Sequence, residues 1–204
     1  MADITAALVK QLRERTNAGM LDCRQALLDT GGELDQAIRL LRERGIAKAD
    51  KRAGKETSNG LVEAYLHRTS DDFPPQVGVL VEIDCETDFV AKGDGMRTLA
   101  RELALHIAAA APRWVEKGDV PQDLLREERE LYRRKAEQDG RPEAAWDKIV
   151  AGQERKFLED NVLLEQAWVR EPKTSIRELI AQTVATVQEN VTVRRFSRFS
   201  IKEG

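Results

Sequence analysis

Reactive side chains are few in this chain of 204 residues. It holds two cysteines, Cys23 and Cys85, and two histidines, His67 and His106. An enzyme built on them needs a thiolate beside a base, and Cys85 with Asp84 and His106 is the one grouping to test for it. Cys85, however, continues an apolar strand pattern and His106 falls among apolar helix positions. A small buried hydrophobe and a locally hydrogen-bonded histidine are the ordinary readings of such residues. The cysteines are too few for a disulfide framework, and with the histidines they match no metal-ligand spacing. Gly31-Gly32 lacks the strand before it and the Lys-Ser/Thr after it that a phosphate loop needs. Chemistry that makes or breaks bonds has little to stand on, and neither cofactor nor metal is expected.

Features suited to binding are more numerous. Arg194, Arg195 and Arg198 interleave with Phe196 and Phe199, which suits phosphate contacts with stacking faces, or a strand with Phe inward and Arg outward. Lys48, Lys51, Arg52 and Lys55 crowd residues 46–59, as a solvated connector does, or an RNA contact. The most unusual local feature is Thr87-Asp88-Phe89-Val90-Ala91-Lys92, an acid beside a bulky aromatic in a connection between strand and helix. Two readings stay open there. Asp88 caps a turn while Phe89 folds onto the core, or Phe89 enters a partner's pocket while Asp88 supplies charge.

The elements that must position these residues follow from composition and periodicity. Lys and Arg total 33 against 36 Asp and Glu, for a net charge of −3. That balance argues against a protein held to nucleic acid or anionic membrane by bulk charge. The chain is 41% hydrophobic, enough for a core, and its aromatic content of 5% suits a helix-rich fold. No run approaches the roughly 18 apolar residues of a membrane span. Met1 to Ile4 does not open a signal peptide, so the expected location is the cytoplasm.

Asp3 is placed to cap a first helix with Ile4, Ala7, Leu8 and Leu12 on one face, broken at Thr16-Asn17-Ala18-Gly19. Leu21, Ala26, Leu27 and Leu28 mark a second, stopped by Gly31-Gly32; Leu34, Ala37, Ile38 and Leu41 mark a third, ending at Gly45. Residues 1–45 are the scale of a docking module, and 46–59 a basic linker. From Gly60 the period becomes two: Val62, Ala64 and Leu66 alternate with Glu63 and Tyr65, and Val77, Val79, Val81 and Ile83 follow after a turn at Asp71–Pro75. A helix capped by Asp94 carries Met96, Leu99, Leu103, His106 and Ile107 as far as Pro112. Residues 113–172 read as charged helices, one marked by Leu124, Leu131 and Tyr132, another by Trp146, Ile149, Val150 and Phe157. Ser175 and Glu178 have capping-box spacing before Ile176, Leu179, Ile180, Thr183, Val184 and Val187. A closing strand over 191–201 places Val191, Val193, Phe199 and Ile201 on one face. The fold class is α+β, with a core over residues 60–204 of antiparallel strands packed with helices.

Glu82-Ile83-Asp84-Cys85-Glu86-Thr87-Asp88-Phe89-Val90-Ala91-Lys92 resembles a signature of bacterial elongation factor Ts, and Leu12 to Leu27 resembles its N-terminal signature. Leu164 to Val169 and Glu189 to Phe196 are also similar to that family, so the resemblance spans nearly the whole chain. Asp84 stands where the family usually has Asn, and Arg24 where it has Lys. The length resembles the short form, without the second core subdomain and coiled-coil insertion. The resemblance implies a ubiquitin-associated-like fold for the first three helices, and a factor that speeds GDP release from elongation factor Tu without covalent chemistry. Thr87, Asp88, Phe89, Val90 and Ala91 would then form the exchange wedge, and Arg13, Met20 and Leu21 would dock the N-terminal helices. From amphipathicity alone Met20 and Leu21 fit a core equally well. The resemblance also allows a homodimer through the core, and implies no membrane and no direct nucleic-acid contact. The alternative is a ribosome- or RNA-binding module using the linker and the Arg-rich strand.

Overall fold

A computed structural model of the chain describes residues 4–16, 18–70 and 72–201. They fall into two compact units, one built from the chain up to Leu105 and from Arg177 onward, the other from His106–Ile176. The fold is α+β.

The first unit opens with helices α1 (Ala6–Thr16), α2 (Met20–Asp29) and α3 (Leu34–Arg52). Thr5 Oγ1 accepts the Leu8 amide at the start of α1, a cap that satisfies one of the helix's orphan donors. Asp3, expected in that place, lies outside the described residues, as do Asn17 of the first break and Asp71 of the strand turn. Thr30 and positive-φ Gly31 and Gly32 end α2, with the Gly32 amide returning to the Leu27 carbonyl. Val9, Leu12, Cys23, Ala26, Leu27, Ala37 and Leu41 bury together as the core of these helices. The third helix does not stop at Gly45 but runs on to Arg52. A glycine inside a helix costs about 1 kcal/mol, and the helix formers Ala47, Lys48, Ala49, Lys51 and Arg52 offset it. The start of the basic segment is therefore helical.

A three-stranded antiparallel sheet follows, in the order β1 (Asn59–His67), β2 (Val77–Cys85), β5 (Val191–Ser200). Val79, Val81, Ile83 and Cys85 of β2 are buried, as are Met96, Leu99, Ala100 and Leu103 of α5 (Asp94–Ala110) and Ile180, Ala181 and Val184 of α8 (Ile176–Val187). That face of the sheet holds the core. On the opposite face Val62, Leu66, Leu80 and Phe199 are exposed. The phase of the sheet corrects two sequence expectations. Val81 lies opposite Glu63 and Ile83 opposite Leu61, so the apolar set Val62, Ala64 and Leu66 takes the outer face and is exposed. In β5 the register shifts between Glu82 and Ile83, with Glu82 opposite Arg195 and Ile83 opposite Val193. The extra residue of this bulge is Arg194, and a one-residue slip flips every side chain beyond it. Val191 and Val193 keep to the core side, whereas Phe199 and Ile201 turn out to solvent.

In the second unit α6 (Gln122–Gln138) and α7 (Glu143–Asn161) form an antiparallel hairpin, joined by Arg129 on Glu154 and Arg133 on Asp147. Val120, Leu125, Leu158 and Val162 make its core, with Trp114 and Phe157 against it. A short hairpin of β3 (Ala167–Trp168) and β4 (Glu171–Ser175) ends the unit, an element the sequence pattern did not reveal.

Candidate functional site

Strand β2 ends at Cys85, and two residues later the chain enters a single helical turn, α4 (Asp88–Ala91). Thr87 caps it: its backbone is extended and its Oγ1 accepts the Val90 amide. One turn has no cooperative stability of its own, so its position comes from its anchors. It packs against the ends of β1 and β2, with Val90 and Ala91 half-buried and Thr87 and Asp88 exposed. Phe89 is 83% exposed. Of the two readings open for it, the ring stands in solvent rather than on the core. Asp88 pairs with Lys92 at 2.6 Å across the same turn, and that ammonium holds its carboxyl below the usual range. The result is an aromatic tip beside a fixed carboxylate, on a short turn rooted in the sheet.

The N-terminal candidates share the exposed character. Met20 is 52% exposed and Leu21 84%, so neither is core, and Arg13 is exposed on α1. The two residues from α2 stand at its first turn, next to the break after Thr16. They and the Phe89 turn lie on different elements of the first unit, separated in sequence by α3 and two strands.

A network of charges that pattern reading missed supports the Phe89 turn. Glu86 accepts the Asn190 amide at 2.7 Å and Arg52 of α3 at 3.1 Å, with Lys55 nearby at 3.7 Å. The Asn190 amide and then Arg52 hold its carboxyl below the usual range. Asn190 in turn donates its side chain to the Lys55 carbonyl. The available signal was placement: Glu86 and Glu189 sit just outside the ends of two strands that pair. An open groove beside the turn is lined by Gly60, Leu61 and Glu63 of β1 and by Lys92, Arg97 and Arg101.

The alternative chemistries find no such assembly. Burial pushes the Cys85 thiol up, and its Sγ donates to the Thr87 carbonyl. His106, in the second unit, is buried with both ring nitrogens engaged: Nε2 donates to Gln166 Oε1 at 2.9 Å and Nδ1 accepts the Val169 amide. Burial lowers its pKa. Four of the seven basic residues considered for RNA pair internally: Lys48 with Asp22, Arg52 and Lys55 with Glu86, and Arg195 with Glu82. Among the described residues no cluster of three His, Cys, Asp or Glu side chains could hold a metal. No helix there is long and apolar enough to cross a membrane.

Comparison with known proteins places this chain in a family. A family model described as elongation factor Ts matches residues 30–203. The chain is 49% identical to the elongation factor Ts of Frankia alni over 203 residues, covering all of both chains. It is 45% identical to that of Caldanaerobacter subterraneus subsp. tengcongensis over 201 residues, 98% of each chain. It is 43% identical to that of Fervidobacterium nodosum over 201 residues, 98% of this chain and all of the relative. Arg13, Met20 and Leu21 precede the residues that the family model matches, but fall within the alignment that covers the whole chain of the Frankia relative.

Proposed function

The chain belongs to the elongation factor Ts family of translation elongation factors, and we propose that it is a guanine-nucleotide exchange factor that releases GDP from elongation factor Tu so that GTP can bind. The reading rests on one observation above others, an aromatic ring held 83% exposed on an anchored turn. Desolvating such a ring is unfavourable to forgo and favourable to complete in a partner's pocket.

A GTPase grips its nucleotide through P-loop amides, a lysine and a Mg²⁺ that bridges phosphate oxygens. A factor that binds best when those contacts are broken weakens nucleotide affinity by the same factor by which nucleotide weakens its own. In this reading Phe89 is the wedge that enters the GTPase near its metal site. Asp88 offers charge beside it, and Thr87, Val90 and Ala91 form the seat of the turn. Arg13, Met20 and Leu21 dock α1 and α2 on another face of the GTPase. Residues 1–45 are then a ubiquitin-associated-like docking domain, 46–59 its connector and 60–204 the exchange core. No covalent step is involved, and the protein works in the cytoplasm with its partner. The outer sheet face, with Val62, Leu66, Leu80 and Phe199 exposed, supports pairing of two copies through the core. Phe199→Lys then yields monomers in sedimentation at concentrations where the parent protein is dimeric, and a monomeric parent contradicts the pairing.

Co-elution tests the exchange reading. The protein and nucleotide-free elongation factor Tu form a complex on gel filtration, and added GDP dissolves it. A complex indifferent to GDP contradicts the reading, because linkage then leaves the factor no means of weakening nucleotide binding.

A further inference from the structure

The last ladder pair between β2 and β5 is Cys85 with Val191. Beyond it the two segments are held by side chains instead of backbone. Glu86 takes the Asn190 amide at 2.7 Å, and Glu189 takes the Thr87 amide at 3.0 Å. Each carboxylate reaches across to the residue that follows the other. Glu189 also accepts the Thr87 hydroxyl at 2.7 Å, so one carboxylate holds both donors of the residue that caps the Phe89 turn. The remaining polar capacity of Thr87 points into that turn. Its Oγ1 accepts the Val90 amide and its carbonyl the Ala91 amide, while Cys85 Sγ donates to the same carbonyl.

From this geometry we infer that Glu189 is a positioning residue for nucleotide exchange, which fixes the direction of the Phe89 ring by clamping Thr87. The inference rests on the exchange reading above. Three properties carry it. Hydrogen bonds to an ionised carboxylate are the stronger kind, and two of them on one residue fix orientation as well as distance. The turn is too short to hold itself, so its cap decides where it points. Glu189 comes from the connection between α8 and β5, is half-buried, and makes no part of the exposed tip itself. A ring that must enter a pocket gains from being held in its bound direction beforehand, because less order is then lost on binding. Arg52 and Lys55 bring the end of α3 and the segment after it to the same clasp through Glu86, so the exit of the N-terminal helices is tied to the root of the wedge.

The test uses Glu189→Ala and Glu189→Gln in the full chain, with two readouts. Amide hydrogen exchange on the free protein reports the clamp directly: Glu189→Ala exposes the amides of Thr87, Val90 and Ala91, while those of β2 and β5 keep their protection. Release of a fluorescent GDP analogue from elongation factor Tu reports the consequence. The maximal rate at saturating factor falls by about tenfold, because a ring no longer held in its bound direction must be ordered on binding, and the half-saturating concentration stays within about twofold. Glu189→Gln, which keeps one acceptor oxygen in the same place, recovers part of both. Unchanged exchange at residues 87–91 overturns the inference, and so does a loss of protection spread evenly over the sheet, which would make Glu189 a general stabiliser. Local loosening with an unchanged maximal rate overturns it as well. If the parent protein fails to speed GDP release at all, the exchange reading falls, and hydrogen exchange still decides whether the clamp exists.

Discussion

Truncating Phe89 to alanine separates the two uses of a large aromatic side chain. In the free protein the ring is 83% exposed, so its removal withdraws little buried surface and opens no cavity. Surface changes of that kind stay within about 0.5 kcal/mol, which moves the melting temperature of a chain this size by about 1–2 °C. In the proposed complex the same ring would pass from water into a pocket. Full burial of a Phe side chain contributes about 1.5–3 kcal/mol, and 1.4 kcal/mol is a tenfold change. If the contact exists only where the nucleotide is leaving, Phe89→Ala lowers the maximal rate of GDP release by about 10- to 150-fold. The assay is stopped-flow release of a fluorescent GDP analogue over a range of factor concentrations, alongside thermal unfolding of the variant alone. Two results refute the reasoning. A variant that melts many degrees lower makes Phe89 a core residue, and one that releases GDP as fast as the parent removes the wedge.

Gly60→Ala tests the sheet. A Cβ there would stand 2.3 Å from the Ile83 carbonyl oxygen and 2.9 Å from Asp84 Cα, so backbone must move; a loss of about 1–3 kcal/mol is expected in urea unfolding. His106 makes stability pH-dependent. Its folded pKa is lowered by burial while the unfolded chain titrates near about 6.5, so the unfolded state binds more protons below that pH. Stability is therefore complete above about 6.5 and falls as pH drops through it toward the folded value; urea midpoints from neutral to mildly acidic pH show the slope, and His106→Gln flattens it. Cys85→Ala leaves GDP release within about twofold and costs about 1–2 kcal/mol in the same unfolding assay; abolished activity would support thiol chemistry instead.

What could be read in the sequence was set by local physics. Periodicity located α6, α7 and α8, and β2 with its inward Val79, Val81 and Ile83, because a buried stripe constrains every third or fourth residue in a helix and every second in a strand. Phase was another matter. Which side of β1 faces the core depends on its pairing with β2, so Val62 and Leu66 looked like core residues and are surface. A bulge at Arg194 is invisible to a period-two reading, and it turned Phe199 outward. Gly45 reads as a stop in isolation, yet the helix-forming residues after it keep α3 going. At the site, the turn with Asp88 and Phe89 was evident as an odd pairing of residue types in a connection. The exposure of its ring and the exposure of Met20 and Leu21 were not, since amphipathic spacing suits core and docking surface alike. The clasp of Glu86 and Glu189 joins residues about a hundred positions apart, and only the β2–β5 register brings them together.

The most direct test of the account is the rate of GDP release from elongation factor Tu with the protein present at a small fraction of the GTPase concentration. The account predicts that each molecule discharges many partners in turn, so that all the bound fluorescent GDP is exchanged far faster than it leaves unaided. Release at the unaided rate from an active partner would contradict it.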